Sequence, residues 1–600
     1  MSNISGMTEE LNVGRSDPAY MAHAYLTKVP APAIIPFIKA HTEPGAVVLD
    51  PFAGSGMTGV AAAMIGRSAS LFDISVLGQH IGQNYVSLVD PQALNKYASE
   101  VVQAAKRQLG NVYGVKCVGC SQDGELAKTV WSVIVECPSC DKPVAYYHSM
   151  KAAGWVKADM LCPHCRGPIS SRNKRIGEAP VLAYVSCGCQ RTQVEQAPQP
   201  SPVDLAIESL PYPRVEITPD REMYKASALG KNGMTTIASF YSPRNLAVLT
   251  ALREQIRIVP DEAIRNKLLF SFTACLTRAS KRYQWHPKRP LNAANANYYV
   301  APVFYEWNVY ELFLRKVIST IRSDEWIKAS RHIYATADSQ PNVVYEISSA
   351  ESIPLPDQSI DYVFTDPPFG SNLFYADMAL FQEAWLSSFS DVEKEAVVDR
   401  SRKGRRSARR YEELLTSALS ECRRVLKPGG AISMVFGNSS GRMWALVQQA
   451  ICNAGLSVVP EELTILNKGQ RSVKGLASGF EHVATLDLVI TMRAATEGQS
   501  ELTHIPEGET AKTVRRLAEE NPDTTPSHLY LELLRTAMRS GWKLDELDLS
   551  IVTHTLVEDD WAIESKSGHL RRAREVSDAT PTPPARQPEP QKVQADLLFE

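Results

Sequence analysis

Two short strings in this chain carry residues whose types and spacing could do chemistry. The first is Asp366-Pro367-Pro368-Phe369, which follows the apolar run Tyr362-Val363-Phe364-Thr365. An exocyclic amine on an aromatic ring is a poor nucleophile, because its lone pair is delocalised into the ring. The carboxylate of Asp366 and the carbonyl of Pro367 can both accept its N–H bonds. That draws the nitrogen toward tetrahedral geometry and localises the pair. Two successive prolines fix φ and stiffen the loop, so the acceptors are held in place. Phe369 offers a face on which a flipped ring can stack. A strand followed by a proline turn with an aromatic plug is the plain structural reading of the same residues.

The second string is Asp50-Pro51-Phe52-Ala53-Gly54-Ser55-Gly56, which follows Val47-Val48-Leu49. Gly54, Gly56 and Gly59 match G-x-G-x-x-G between a strand and a helix. Glycine permits a sharp turn and a close approach of ligand to backbone. Asp73 ends the next strand, where a carboxylate can take ribose hydroxyls. Dinucleotide-binding folds share this pattern, and so does a tight turn with no ligand. Asp50 shifts the balance. S-adenosylmethionine carries a sulfonium and an ammonium and suits a carboxylate at the strand end, whereas a pyrophosphate would be repelled there.

These strings need elements to hold them. Residues 30–94 alternate helix and strand, with strands at Ala46–Leu49 and Ser68–Phe72. The alternation resumes near Asn342, with strands at Val343–Ile347, Ile360–Thr365 and Ala431–Phe436. Leu463–Leu466 and Thr485–Met492 read as a final antiparallel pair. Strands alternating with helices imply a parallel sheet. The expected class is therefore α/β: one Rossmann-like sheet written in two pieces, 20–94 and 341–495. A cysteine-rich segment (112–190) and a helical, aromatic segment (191–340) are inserted between its second and third strands. A helical appendage (508–575) and a disordered tail (576–600) follow, the tail being rich in Pro, Gln and Thr.

Eight of the eleven cysteines stand in close pairs: Cys117/Cys120, Cys137/Cys140, Cys162/Cys165 and Cys187/Cys189. Two thiolates at C-x-x-C spacing suit one tetrahedral Zn²⁺, and eight ligands make one or two structural sites. The middle pairs have the spacing of a zinc ribbon, which leaves the outer pairs to meet each other. Sequential pairing is the alternative. His164 is expected to face solvent, and Cys275, Cys422 and Cys452 to lie in the core. Cysteine pairs in a chain with no export signal favour metal over disulfides, and the cytoplasm is the expected location. No long apolar stretch argues for a membrane span. The net charge of −2 excludes a polyanion binder by bulk charge, so a nucleic-acid face needs local clustering. Lys281–Arg289 mixes cations with aromatics, Arg402–Arg410 is a dense cationic run, and Asn292, Asn295 and Asn297 could contact bases.

VVLDPFAGSGMTGVAA and DYVFTDPPFG resemble the motifs of amino-methyltransferases that modify N6 of adenine or N4 of cytosine in DNA. His23-Ala24-Tyr25, with Lys28 and Pro30, looks like the segment that closes over the methionine moiety in that family. Ser349–Pro356 looks like its loop near the cofactor adenine, and Leu426–Gly430 is similar to the turn before its fifth strand. The chain resembles most closely the zinc-ribbon-containing adenine-specific DNA methylases, some of which belong to restriction-modification systems. The resemblance spans about residues 20–495 and leaves the C-terminal hundred uncovered; Phe369 replaces the commoner tyrosine. It implies Asp366, Pro367, Pro368 and Phe369 as catalytic residues. It implies Lys28, Asp50, Phe52, Gly54, Gly56, Asp73, Ser349 and Asp366 as residues of the S-adenosylmethionine site. It implies the eight paired cysteines as metal ligands and double-stranded DNA, with a flipped base, as substrate. Adenine N6 is the expected acceptor.

An RNA base methyltransferase of the guanine-N2 type is one rival, since the second motif also serves that chemistry. A zinc-containing nucleic-acid-binding protein without catalysis is another. The ending Gln594-Ala595-Asp596-Leu597-Leu598-Phe599 resembles peptides that bind bacterial replication sliding clamps. A frayed apolar end gives the same letters.

Overall fold

The computed structural model describes residues 9–189, 191–200, 203, 205–287, 298–334, 341–370, 373–399, 406–469, 484–496, 502–564 and 568–573. Along the chain the strands are β1 (Glu10–Asn12), β2 (Val47–Asp50), β3 (Ser68–Asp73), β4 (Gly114–Lys116), β5 (Asp123–Glu136), β6 (Pro143–Ala145), β7 (Arg175–Ser186) and β8 (Val194–Gln196). They continue with β9 (Val303–Trp307), β10 (Val343–Ile347), β11 (Ile360–Thr365), β12 (Leu426–Phe436), β13 (Leu456–Asn467) and β14 (Asp487–Ala494). A last hairpin is β15 (Trp561–Ile563) and β16 (Leu570–Arg572).

The main sheet has eight strands in the order β10-β3-β2-β11-β12-β14-β13-β1. β10, β3, β2, β11 and β12 are parallel to one another, and β14 is antiparallel to both β12 and β13. Its central strands are apolar because both faces are covered, as a parallel sheet requires. Val48, Tyr362, Phe364 and Val435 pack under the helices Ala31–His41 and Met57–Met64. Leu49, Val363, Met434 and Phe436 pack on the other face, against the helices Ala408–Val425 and Gly441–Asn453.

From β2 the chain proceeds outward to β3, and from β11 outward the other way to β12. The loops after β2 and β11 therefore diverge and leave a crevice at their carboxyl ends, where open α/β sheets bind ligands. β2 and β3 precede the long intervening segment and their partners β11 and β10 follow it.

Several expectations need adjustment. The three residues of β1 carry no periodic signal, and its pairing with β13 is tertiary. With β1 counted, the intervening segment falls between the third and fourth strands. Leu426–Gly430 is not only a turn: Leu426 pairs with Ile360, and the register then shifts so that Ala431 pairs opposite Tyr362. The expected border at residue 190 runs through a single sheet. β9, from the segment read as helical, pairs with β5 beside β7, and β8 pairs with β7. The helix Pro91–Leu109 joins that body, capped by Asp90, whose Oδ2 accepts the Ala93 N–H at 2.7 Å. The C-terminal helices are not a separate appendage: Leu529, Leu533 and Val552 share a core with Trp444 and Ile465 of the sheet layer. Cys275 and Cys422 are buried as expected, whereas Cys452 is exposed.

Candidate active site

A cleft of about 940 Å³, its open mouth included, lies at the carboxyl ends of β2 and β11. Tyr25, Lys28, Asp50, Phe52, Gly54, Asp73, Ser349, Asp366 and Pro368 line it. Residues from both sides of the long segment therefore meet in one place.

Asp50 is the buried pin of this site. Its Oδ1 accepts the Phe52 N–H at 3.1 Å and the Thr365 hydroxyl at 2.8 Å, and its Oδ2 accepts the Thr58 hydroxyl at 2.6 Å. Burial outweighs these bonds and pushes the carboxyl up to about 7. A carboxylate has about four lone-pair sites, so one on Oδ2 remains for a ligand. Asp73 is tied into the same loop: it accepts the Gly54 N–H at 2.7 Å and the Ser75 N–H at 2.9 Å, and burial raises its carboxyl as well.

The loop's shape depends on its glycines. Gly54 and Gly56 have φ of +49° and +77°. A Cβ on Gly56 would fall 2.7 Å from the Gly82 Cα, so Gly56 serves helix packing beneath the cleft and is not in its lining. Tyr345, from β10, donates its hydroxyl to the Gly54 carbonyl at 2.6 Å. No sequence signal marked it.

Lys28 lines the cleft, but its ammonium is spent locally. It donates to the carbonyls of Tyr20 and His23, each at 2.7 Å, and burial lowers it to about 7. It thus holds the segment carrying Tyr25 over the glycine loop. Ser349 lines the wall, with its hydroxyl oxygen accepting the Glu351 N–H at 3.3 Å.

The Asp366 loop is held by its flanks. Tyr411 donates its hydroxyl to the Pro368 carbonyl at 2.7 Å, and Asn438 donates its amide to the Phe369 carbonyl at 2.9 Å. Among the described residues no hydrogen bond reaches the Asp366 carboxylate or the Pro367 carbonyl. Asp366 lines the cleft with its carboxylate unbonded, whereas Pro367 is buried and stands outside the cleft lining. Burial pushes the Asp366 carboxyl up to about 7, against the opposing pull of Lys468. Phe369 is half-buried, edge-on to Phe436 with centroids 5.1 Å apart, and stands outside the cleft lining. Tyr375 lines the cleft and shares a 3.0 Å hydrogen bond with Thr27.

Several described cations of the basic segments are tied into the protein. Arg406 pairs with Glu395 and Asp399, both at 2.6 Å, and Arg410 meets both oxygens of Glu351 at 2.8 and 2.6 Å. These arginines brace the cleft walls. Lys281 pairs with Glu178 at 2.6 Å, Arg282 is buried against Tyr298 and Phe381, and Trp285 packs on Trp155. Arg402–Arg405, Lys288, Arg289, Asn292, Asn295, Asn297 and the tail Gln594–Phe599 lie outside the described residues.

Away from the cleft, Cys137, Cys140, Cys162 and Cys165 form one cluster, and Cys117, Cys120, Cys187 and Cys189 another. The pairs Cys117–Cys189, Cys120–Cys187, Cys137–Cys165 and Cys140–Cys162 have sulfurs 3.3–3.8 Å apart, and all four sulfurs of each cluster lie within 4.8 Å of one another. A tetrahedron with Zn–S bonds of about 2.3 Å has edges of about 3.8 Å, so both sets fit the metal. Each C-x-x-C knuckle is followed by a left-handed residue, Ser121, Asp141 or Arg166, with φ near +60°. The His164 ring has no place in either set, and the residue is exposed.

Residues 7–90 match the family model N6_N4_Mtase, a DNA methylase. No curated protein matches the chain. Among solved structures, a chain from a complex between the Haloferax volcanii Trm112 methyltransferase activator and a methyltransferase aligns at 14% identity, covering 29% of this chain and 68% of that one, with a TM-score of 0.16. An antibiotic-related methyltransferase aligns at 15% identity, covering 28% and 70%, with a TM-score of 0.14. Likeness that slight carries no argument about this chain. Among the described residues no helix is long and apolar enough to cross a membrane. The segment that builds the first half of the cleft is therefore similar to DNA methylases, and that similarity supports a methyltransferase.

Proposed function

We propose that this protein transfers a methyl group from S-adenosylmethionine to the exocyclic amine of a base flipped out of DNA, with adenine N6 as the acceptor. The observation that carries the reading is the unbonded Asp366 carboxylate in the wall of a cleft shared with a glycine loop of DNA-methylase type. The cleft fits the cofactor. Asp50 and Asp73 offer carboxylates to a cationic ligand, and Gly54 brings backbone close to it. Bound there, the cofactor would supply an electrophilic methyl group. The chain's own part is to hold the amine. Asp366 and Pro367 accept its N–H bonds and localise the lone pair, in loop geometry held by Tyr411 and Asn438. Phe369 supplies an aromatic edge beside that position. No covalent enzyme intermediate is required. The cysteine clusters hold structural zinc in the inserted sheet, since neither leaves an open coordination position.

The test is transfer of labelled methyl from the cofactor to duplex DNA, tRNA and rRNA by the wild type and Asp366→Asn. The expected result is label in DNA at N6 of adenine, and a fall in kcat of about 10²–10³-fold in the variant with cofactor affinity little changed. Label in RNA alone would replace this reading with the RNA rival. Tight cofactor binding with no transfer to any substrate would leave a nucleic-acid-binding protein.

A further inference from the structure

Lys468 and Asp487 form a buried ion pair that the reading above does not use. Their side chains are 6% and 12% exposed. Lys468 stands just past the end of β13, and Asp487 opens β14. β13 is antiparallel to β14, and β14 to β12. Both residues therefore emerge at the carboxyl edge of the parallel strands, where β11 delivers Asp366. Taking two charges out of water is costly, and an apolar pair would often stabilise the fold as well. The placement calls for a use.

Gly437 shows where the pair leans. It follows β12, the strand between β14 and β11. A Cβ on Gly437 would fall 2.2 Å from the Asp487 Oδ1. The Asp487 carboxylate thus lies over the bare glycine, toward β11. Asp366 and Lys468 act on one another through space, with the lysine opposing the effect of burial on the carboxylate. The other groups facing Asp366 push the same way as burial or take its influence: Asp487 beside the lysine, Asp50 from the glycine loop, and Tyr375 from the helix Tyr375–Leu386.

We propose that Lys468, anchored by Asp487 across Gly437, is the positioning residue for Asp366, supplying at the same sheet edge the cation that favours its amine-accepting form. Its purpose rests on the methyltransferase reading; the pairing itself does not. An ionised Asp366 is an acceptor at both oxygens, whereas a protonated one would offer an O–H to an amine that must donate.

The pairing is tested on the full-length protein labelled with carboxyl-¹³C aspartate, the Asp366 signal being assigned by its loss in Asp366→Asn. Lys468→Met is expected to raise the Asp366 titration midpoint by about one to three pH units. Lys468→Arg should restore it, and Lys468→Gln should raise it as Lys468→Met does. In the methylation assay the acid limb of kcat/KM should move upward in Lys468→Met with the high-pH rate retained. An unchanged midpoint in a folded Lys468→Met protein overturns the proposal, as does an equal loss of rate at every pH. If Lys468→Met does not fold, Lys468→Gln decides, and a midpoint that fails to rise overturns the pairing. If no substrate is methylated, the carboxyl titration still decides the pairing, so the two readings fail separately.

Discussion

Thr365 and Asp50 stand 315 residues apart in sequence, and the Thr365 hydroxyl donates to Asp50 Oδ1 at 2.8 Å. The bond ties the end of β11 to the end of β2, the two strands whose loops diverge around the cleft. It fixes the distance between the glycine loop and the Asp366 loop. Thr365 is 1% exposed and Asp50 3%, so neither can exchange the bond for one to water. Thr365→Val keeps the shape and removes the donor. It should cost about 1–3 kcal/mol in urea unfolding, the usual cost of an unsatisfied buried polar group. It should also weaken cofactor binding in calorimetry. A variant as stable as the wild type would show that the bond does not hold the strands.

Asp50 makes the stability depend on pH in a definite direction. In the fold, burial pushes its carboxyl up to about 7 from the ordinary 3.8. Between those values the folded chain keeps a proton that the unfolded chain has released. The contribution is fully present below the lower value and is lost as pH rises through the upper one. The urea midpoint of the wild type, relative to Asp50→Asn, should therefore fall between about pH 4 and about pH 7. A difference that is constant or rises over that window would contradict the burial argument.

The nested grouping of the cysteines has a stoichiometric signature. The purified protein should carry two zinc ions, and Cys117→Ser or Cys189→Ser should each remove one. The double variant Cys117→Ser/Cys189→Ser should still lose only one, since both residues serve one cluster. Cys117→Ser/Cys140→Ser should lose both. Elemental analysis after gel filtration reads this directly, and sequential pairing would instead make Cys117→Ser/Cys140→Ser lose one.

Gly54 and Gly56 should differ in tolerance although they share a motif. An alanine Cβ at Gly56 meets backbone at 2.7 Å, and φ is +77°. At Gly54 it meets the Tyr25 ring at 3.2 Å, and a ring edge can move. Gly56→Ala should lower the thermal midpoint by more than Gly54→Ala, with a cost of about 1–3 kcal/mol from backbone strain. Gly54→Ala should act chiefly on cofactor affinity, because Gly54 lines the cleft.

What the sequence by itself determined is local. The apolar runs Val47–Leu49 and Ile360–Thr365 marked buried strands, because only strands covered on both faces carry so few polar residues. The glycines marked a turn that needs positive φ, and the C-x-x-C pairs marked metal-ligand geometry built into a few residues. The likeness of the two strings to one family's motifs came from the same short stretches. Tertiary structure decided what has no local signal. Thr365, Tyr345, Tyr411, Asn438 and Lys468 are ordinary letters in sequence, and they acquire roles only when distant strands align. Lys28 and Arg406 show the converse. The family resemblance suggested a ligand for Lys28 and the cationic run one for Arg406, but burial made each bond to its own protein instead. Nesting of the cysteine pairs and the joining of β9 to β5 also depend on contacts between far-apart residues. Spacing limits those pairings, and only the packed chain selects one, because a buried donor or acceptor must find its partner wherever the fold has placed it.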